Sequence, residues 1–143
     1  MAANVLDRFE FRSVRANEAE EVAEIEKICF PPHEVCSKKD MFERVEHAPE
    51  LFLVAVDKET GTIAGFLNGL ATDEEAFRDE FFTDITVHNP EGKNIFLLGL
   101  DVRPEYRRQG LAREIMNQYV KREQAKGRTM LKLTCLEQKV EMY

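Results

Sequence analysis

Apolar side chains recur along this chain in two spacings, at every second position in some segments and at every third or fourth position in others. The first spacing predicts half-buried strands, and the second predicts amphipathic helices, as at Val22, Ile25 and Ile28. The segment 95–102 is apolar at nearly every position, so it should be a central strand. By these criteria we expect strands at residues 9–14, 51–56, 62–70, 95–102 and 130–135, and helices at residues 17–30, 37–47 and 110–126.

Residues with strong backbone preferences mark the ends of these elements. Asn17, with Glu20 three positions later, fits a capping box at the start of the first helix, and Pro31 ends that helix. Ser37 is suited to cap the second helix. Residues 57–61 form a five-residue turn, so the strands on either side of it should make a hairpin.

The whole chain is expected to fold as one domain of the α/β (α+β) class, covering residues 1–143. No repeat, linker or low-complexity tract divides it. Residues 73–82 are interpreted as a short helix or a mobile cover, and residues 139–143 as the start of a helix. No apolar run approaches the roughly 20 residues of a membrane span, and the N-terminus lacks a signal-peptide core, so we expect a cytoplasmic protein without a membrane partner.

Charge, cysteines and histidines narrow the classes of partner. The formal net charge is −7, which argues against nucleic acid and weakly favours cationic substrates. The three cysteines form no paired motif and are odd in number, so we interpret them as reduced thiols rather than disulfides or zinc ligands. The three histidines are too scattered for a metal site and are interpreted as surface residues. These residues are Cys29, Cys36, Cys135, His33, His47 and His88.

The segment after the central strand combines small residues with two arginines at the start of a helix. The first amides of a helix have no partner inside the helix, and the helix dipole adds partial positive charge there. Gly110 leaves these amides accessible and Ala112 nearly so, while Arg107 and Arg108 contribute full charges. The pattern fits an anion-binding turn, and it also fits a helix start with a solvated basic patch.

The longer stretch LLGLDVRPEYRRQGLAREIM resembles motif A of the GNAT superfamily of N-acetyltransferases. That signature is Arg/Gln-x-x-Gly-x-Gly/Ala, after a strand that ends in an aliphatic-x-aliphatic-x-Pro pattern. The resemblance implies a mixed, mostly antiparallel sheet flanked by helices, and it implies acetyl-CoA as the donor without a metal. The matching residues are Arg107, Gly110 and Ala112, preceded by Leu100, Val102 and Pro104.

The same resemblance implies where coenzyme A lies. The backbone amides of the turn would hold its pyrophosphate, and the main chains of Leu100 and Val102 would pair with the pantetheine arm. Gly99 would form a bulge that opens the strands for the thioester, or else it serves a simple packing contact. The residues of the turn are Arg107, Arg108, Gln109, Gly110, Leu111 and Ala112.

The N-terminal half resembles the arylalkylamine (serotonin) N-acetyltransferases and their bacterial relatives, over FRSVRANEAEEVAEIEKICFPP and APELFLVAVDKETGTIAGFLNG. This likeness implies a small primary amine as the acceptor, with an arylalkylamine or a polyamine favoured. Phe30 matches an aromatic residue of that group's substrate pocket, and it suits a core position at a helix end equally well. Residues 31–37 match the group's mobile loop over the amine.

The chain departs from that group at the proton-transfer residues. Phe96 and Leu98 stand where the vertebrate enzymes have two histidines, so a carboxylate or ordered water must take the proton of the amine. Tyr143 matches a tyrosine proposed as the general acid toward the thiolate of coenzyme A. It is the final residue, so we expect the sheet to lack the usual C-terminal strands and to expose an edge that favours a homodimer. The candidate bases are Glu34, Asp73, Glu74 and Asp101.

Three functional hypotheses follow from these residues. The first is direct transfer of acetyl from acetyl-CoA to a small primary amine within a ternary complex. The second, prompted by Phe96 and Leu98, is a coenzyme A-binding or sensing module with impaired catalysis. The third is an acidic protein-interaction domain in which the glycine turn occurs by chance.

Overall fold

The computed structural model describes residues 5–32, 36–75 and 84–133. Short 3₁₀ helices lie at Ala16–Glu18, Pro49–Leu51, Ile85–Val87 and Pro104–Tyr106. The longer elements are α1 (Val5–Arg8), β1 (Phe9–Ser13), α2 (Ala19–Cys29), α3 (Lys38–His47), β2 (Phe52–Asp57), β3 (Ile63–Thr72), β4 (Asn94–Val102), α4 (Leu111–Ala125) and β5 (Met130–Leu133). Within these ranges no helix is both long and apolar enough to cross a membrane.

The strands of the described residues form one sheet in the order β1-β2-β3-β4-β5. The first three pairings are antiparallel, and β4 pairs with β5 in parallel. Since α4 connects β4 to β5, these three elements form a βαβ unit at one side of the sheet. The predicted fold class, a mostly antiparallel sheet flanked by helices, is confirmed, and β4 lies inside the sheet as its apolar sequence predicts.

The helices cover both faces of the sheet. On one face Leu111, Ile115 and Tyr119 of α4 pack into a cluster that includes Leu67 and Leu97. On the other face α2 and α3 bury an apolar side against β2 and β3. The residues of that second cluster include Val22, Ile25, Met41, Val45, Phe52, Val54 and Phe66. Burial of apolar side chains on both faces is the main term that stabilises such a layered fold.

A bulge interrupts the pairing of β3 with β4. Asn68 lies opposite Gly99 and Gly69 lies opposite Leu97, so Leu98 is an extra residue in β4. An alanine Cβ at Gly99 would come no closer than 3.6 Å to any neighbouring atom, so no tight contact demands glycine there. The register shift confirms a bulge next to Gly99, and the alternative of a packing contact is not supported; the opening of the strands for a thioester stays a prediction.

The predicted capping box at Asn17 and Glu20 is wrong by two residues. The Arg15 amide donates to the carboxylate of Glu18 at 2.8 Å, and the Glu18 amide donates to the Arg15 carbonyl at 2.9 Å. Arg12 explains the shift, because its guanidinium donates hydrogen bonds to both carboxylate oxygens of Glu18, at 2.8 and 2.6 Å. The chain therefore makes a 3₁₀ turn at Ala16–Glu18 before α2 begins.

His88 is not a surface residue, contrary to the sequence interpretation. Its side chain is 3% exposed, and Nε2 lies 2.7 Å from a carboxylate oxygen of Glu50. The amide of Ala71 donates to Nδ1 at 3.0 Å. This imidazole thus ties the end of β3 to the segment that follows Ile85–Val87, whereas His47 is exposed as predicted.

Other predicted boundaries agree with the structure where it describes them. The Asp40 amide donates to the Ser37 hydroxyl at 3.1 Å, which confirms the cap of α3. The hairpin turn at 57–61 is closed by a bond of 2.8 Å from the Gly61 amide to the Asp57 carbonyl. The predictions for residues 76–82, for the end of the last strand and for 139–143 lie outside the described residues, as do Cys135 and His33.

The Arg12–Glu18 pair predicts a measurable loss of stability in acid. The hydrogen bond from Arg12 lowers the folded-state pKa of Glu18 below its ordinary value. The pair therefore stabilises the fold above the unfolded pKa of a glutamate, and this contribution is lost as pH falls through the lower folded value. We expect Glu18→Gln to reduce the difference in urea midpoint between pH 7 and pH 3.

Glu20→Gln is the matched control, because Glu20 lies two residues further along, in the first turn of α2, and its side chain is 79% exposed. It should leave the acid dependence as in the unaltered protein, since an exposed carboxylate gains little from one ion pair. Identical pH dependence in the Glu18→Gln and Glu20→Gln variants would refute this role for Glu18.

Candidate functional site

A cleft opens where the end of α2 meets the end of β4 and the start of α4. Its volume is about 180 Å³. Its lining combines apolar side chains with three arginines and one carboxylate. The lining residues are Cys29, Phe30, Leu100, Asp101, Val102, Tyr106, Arg107, Arg108, Gly110, Leu111, Ala112 and Arg113.

The turn between β4 and α4 presents backbone amides to this cleft. The first bond of the α-helical pattern runs from the Glu114 amide to the Gly110 carbonyl at 3.1 Å. The amides of Leu111, Ala112 and Arg113 precede it, so they have no acceptor inside the helix. Together with the helix dipole they form a site suited to an anion such as a diphosphate.

Two residues of the turn adopt left-handed backbone conformations. Arg108 has φ of +64° and is the only non-glycine residue with positive φ in the described part of the chain. Gly110 has φ of +79°, and a Cβ built there meets no atom within 4 Å. Glycine is favoured at position 110 for its conformation, and the open space beside it leaves the neighbouring amides accessible.

The side chain of Arg107 folds back onto the end of β4. Its Nε donates to the Val102 carbonyl at 3.0 Å. The Cys29 thiol donates to the same carbonyl at 3.3 Å. The carbonyl of Val102 therefore already accepts two hydrogen bonds within the protein. Only the amide of Val102 is left for the predicted pairing with the pantetheine arm.

The main chain at the end of β4 faces the cleft through alternate residues. The Arg103 amide donates to the Ala64 carbonyl at 2.8 Å. In an antiparallel pair every second residue bonds across, so Leu100 and Val102 direct their main-chain groups away from β3. This orientation agrees with the edge role that the sequence predicts for the two residues.

Asp101 places a carboxylate in the cleft. It is 1% exposed and lies opposite Phe66, on the face of the sheet that α2 covers. Its negative charge contributes to raising the pKa of both Cys29 and Cys36. Among the described candidates for the general base it is the one that lines the cleft.

The other acidic candidates lie elsewhere. Asp73 accepts from the Lys93 amide at 3.1 Å, and the Glu74 carbonyl accepts from the Asn94 side chain at 2.9 Å. Both contacts are at the start of β4, and the cleft is at its end. Glu34 and the predicted general acid Tyr143 lie outside the described residues.

Cys29, which the sequence analysis interpreted only as a reduced thiol, lines the cleft. Burial raises its pKa to about 11, with a further increase from the charge of Asp101 and a partial decrease from Arg107. Burial likewise raises the pKa of Cys36 to about 11. Both residues are free thiols, as the sequence predicted for them, and at neutral pH both are protonated.

Phe30 lies in the cleft at the end of α2, and its role in a substrate pocket stays a prediction. It ends α2, it is 8% exposed, and it lines the cleft beside Cys29. Phe96 and Leu98, at the positions of the missing histidines, are buried in an apolar cluster with Leu70 and Ile85.

The structure brings most of the predicted cofactor residues together. All but Gln109 line the cleft, and Gln109 is half-buried in the turn. Cys29, Tyr106 and Arg113 were missed, because their neighbourhood depends on how α2 and α4 pack rather than on a motif. In the described ranges no group of three or more potential ligands is arranged to hold a metal ion.

A protein family and a curated protein resemble this chain in sequence. The model of the acetyltransferase (GNAT) family matches residues 19–143. The curated relative, named probable hydrolase YhcX, comes from Bacillus subtilis (strain 168) and is 30% identical over 114 residues. The match covers 72% of this chain and 22% of that protein, so the chain spans about a fifth of its relative's length.

Solved structures share the fold. The loading GNATL domain of CurA from Lyngbya majuscula has a TM-score of 0.69 at 14% identity, over 79% of this chain and 57% of that one. The GphF GNAT-like decarboxylase, in complex with isobutyryl-CoA, has a TM-score of 0.69 at 20% identity, over 79% and 58%. Diaminobutyrate acetyltransferase EctA from Paenibacillus lautus was solved in complex with L-2,4-diaminobutyric acid and coenzyme A. It has a TM-score of 0.67 at 16% identity, over 93% of this chain and 69% of that one. At these identities the likeness concerns the fold alone.

Gly110→Ala is expected to weaken coenzyme A binding beyond its effect on stability. Alanine in a left-handed conformation costs about 1 kcal/mol of folding free energy. At position 110 the new methyl group would also stand beside the amides of the turn, so we expect ~10-fold weaker binding. Urea unfolding and calorimetric titration with coenzyme A measure the two effects separately.

Gly127→Ala is the matched control at the other end of α4. Gly127 has φ of +85°, and its Cβ position is equally open. Its substitution should cost similar stability and leave coenzyme A affinity unchanged. Equal affinity losses in the two variants would show that the turn has no special role.

Proposed function

The chain belongs to the acetyltransferase (GNAT) family, and we propose on that basis that it transfers acetyl from acetyl-CoA to a small primary amine. Members of this family are acyl-CoA-dependent acetyltransferases. The observation that carries the proposal is the turn at residues 107–112, whose amides open onto the cleft beside the end of β4. The diphosphate of the donor would lie on this turn, and its pantetheine arm would follow Leu100 and Val102 inward.

The proposed reaction is direct attack within a ternary complex. The amine nitrogen bonds to the thioester carbonyl carbon, the carbon–sulfur bond breaks, and coenzyme A leaves as a thiolate. A route through an acyl-cysteine is disfavoured, because a thiol with a pKa of about 11, as at Cys29, is ionised in roughly one molecule in ten thousand at pH 7. Positioning and backbone polarisation of the carbonyl supply most of the rate.

Asp101 is the proposed acceptor of the ammonium proton. The position of Asp101 supports this role, since its side chain is buried and lines the cleft at the end of β4. Phe96 and Leu98 are packed among apolar side chains, which leaves the carboxylate to take the part that imidazoles play in the arylalkylamine group. Tyr143 is proposed to protonate the departing thiolate, on the sequence resemblance alone.

The acceptor is proposed to be a cation, with an arylalkylamine or a polyamine favoured. Two buried carboxylates, Asp101 and Glu26, lie where α2 approaches β4, and both act electrostatically on Cys29. They would attract an ammonium group, and Phe30 offers an aromatic surface beside it. EctA, whose fold this chain shares, was solved with a diamino acid, which supports an amine acceptor in general terms.

Mass spectrometry after incubation with acetyl-CoA and a panel of amines tests the proposal. We expect an acetylated arylalkylamine or polyamine together with free coenzyme A. Coenzyme A binding without any acetylated product would favour the binding or sensing module, for which the apolar residues at 96 and 98 are the supporting observation. Absence of binding would refute both functions.

Asp101→Asn is expected to lower kcat by about 100-fold or more, because it removes the group that takes the proton. Coenzyme A affinity should change little, since the turn is untouched. Asp73→Asn serves as the control, because Asp73 is exposed at the other end of β4. If the Asp101→Asn variant is as active as the control, Asp101 is excluded as the base.

Cys29→Ser should retain most of the activity, because the hydroxyl can still donate to the Val102 carbonyl. Intact-protein mass spectrometry of the unaltered enzyme with acetyl-CoA should reveal no acetyl group on Cys29. Cys36→Ser controls for the loss of a buried thiol. Loss of turnover in Cys29→Ser alone, with an acetylated Cys29 in the unaltered protein, would replace direct transfer by an acyl-enzyme route.

A further inference from the structure

A buried hydrogen bond connects the candidate donor turn to the hairpin of β2 and β3. Tyr106 is the last residue of the Pro104–Tyr106 helix and directly precedes Arg107. It is 8% exposed, and its hydroxyl donates to Oδ2 of Asp57 at 2.8 Å. Asp57 is the last residue of β2 and is 1% exposed. The start of the turn is thereby joined to a rigid part of the sheet.

The carboxylate of Asp57 is held from three sides. Besides Tyr106, the Glu59 amide donates to Oδ1 at 2.9 Å and the Arg8 guanidinium donates to Oδ2 at 3.2 Å. The pKa of Asp57 is lowered, chiefly by the bond from Tyr106, and burial raises the pKa of Tyr106. The proton therefore stays on the tyrosine, and the bond is made to a charged acceptor.

The ring of Tyr106 has contacts of its own that do not involve the hydroxyl. It packs edge-on against Phe9, with ring centroids 5.7 Å apart, and the Arg8 guanidinium lies 5.2 Å from its centroid. Replacement by phenylalanine should keep these contacts. Removal of the hydroxyl thus isolates the hydrogen bond to Asp57 from the packing of the ring.

The turn needs such an anchor because its backbone is strained. A non-glycine residue with positive φ, as at Arg108, persists only where its surroundings hold it there. On the far side of the turn, Leu111 is 1% exposed and fixes the start of α4 in the core. On the near side, the Arg107 amide bonds to the Pro104 carbonyl at 3.2 Å, within the short helix that Tyr106 ends.

We propose that the Asp57–Tyr106 hydrogen bond positions the turn at residues 107–112 for the diphosphate of coenzyme A. Tyr106 and Asp57 are then positioning residues, which act through the backbone of Arg107 and Arg108. The inference rests on the proposed function for the identity of the ligand. Without the bond, Arg108 relaxes toward an ordinary conformation, and the amides of the turn no longer converge on one anion.

Tyr106→Phe tests this inference by two measurements on the full chain. Amide hydrogen exchange without ligand should become faster at residues 107–112, because the turn loses its anchor. Calorimetric titration should give a Kd for coenzyme A raised ~10-fold, as expected for loss of a bond to a charged group. Asp57→Asn, which keeps an oxygen acceptor without its charge, should give an intermediate Kd.

Tyr119→Phe is the matched control. Tyr119 is also buried, and its hydroxyl donates to the Leu51 carbonyl at 2.9 Å, two turns further along α4. This variant should lose comparable stability while the turn and the Kd stay unchanged.

The outcomes separate this inference from the proposed function. Unchanged exchange and affinity in Tyr106→Phe, or equal changes in Tyr119→Phe, would overturn the positioning role. Failure of the unaltered protein to bind coenzyme A would overturn the proposed function, together with the diphosphate as ligand. Faster exchange at 107–112 and weaker binding in Tyr106→Phe alone would support the inference.

Discussion

The bulge at Leu98 is the constraint on which the cleft depends. Side chains alternate between the faces of a sheet, so one extra residue reverses the face of every residue that follows it. Leu100 and Val102 consequently pack in the cluster beneath α4, together with Leu97 from before the bulge. Asp101 turns to the face that α2 covers, where it meets the end of that helix. A regular strand would instead place this carboxylate on the face under α4, away from the end of α2.

The bulge sets which faces the β4 residues of the cleft occupy, and the turn after β4 places the start of α4 beside them. Left-handed conformations at Arg108 and Gly110 reverse the chain within a few residues, so α4 starts directly beside the strand end. Such conformations are costly for a non-glycine residue and persist where neighbouring contacts enforce them. Tyr106 before the turn and Leu111 after it supply those contacts, and both belong to the core cluster beneath α4. The accessible amides are therefore a product of tertiary packing as much as of the local motif.

The sequence predicted what depends on short-range pattern. The period of apolar residues located the described strands and α2 to α4. Gly110 of the motif located the turn, and Gly99 located the bulge beside it in β4. It failed where two distant residues decide the outcome. Arg12 moved the start of α2 by binding Glu18, and burial of His88 depends on Ala71 and Glu50, neither of which a periodicity can reveal. Cys29 and Tyr106 reach the cleft for the same reason, through the packing of separate elements.

Charges of both signs line the cleft, and they bear on the proposed reaction. The protein carries a formal net charge of −7, yet Arg107, Arg108 and Arg113 line the cleft. The carboxylate of Asp101 lines the same cleft, and the buried carboxylate of Glu26 acts with it on Cys29. The arginines would attract the anionic donor, and the carboxylates would attract a cationic acceptor. The same carboxylates help to keep Cys29 protonated, so the arrangement that attracts the amine also makes the thiol a poor competitor for the acetyl group.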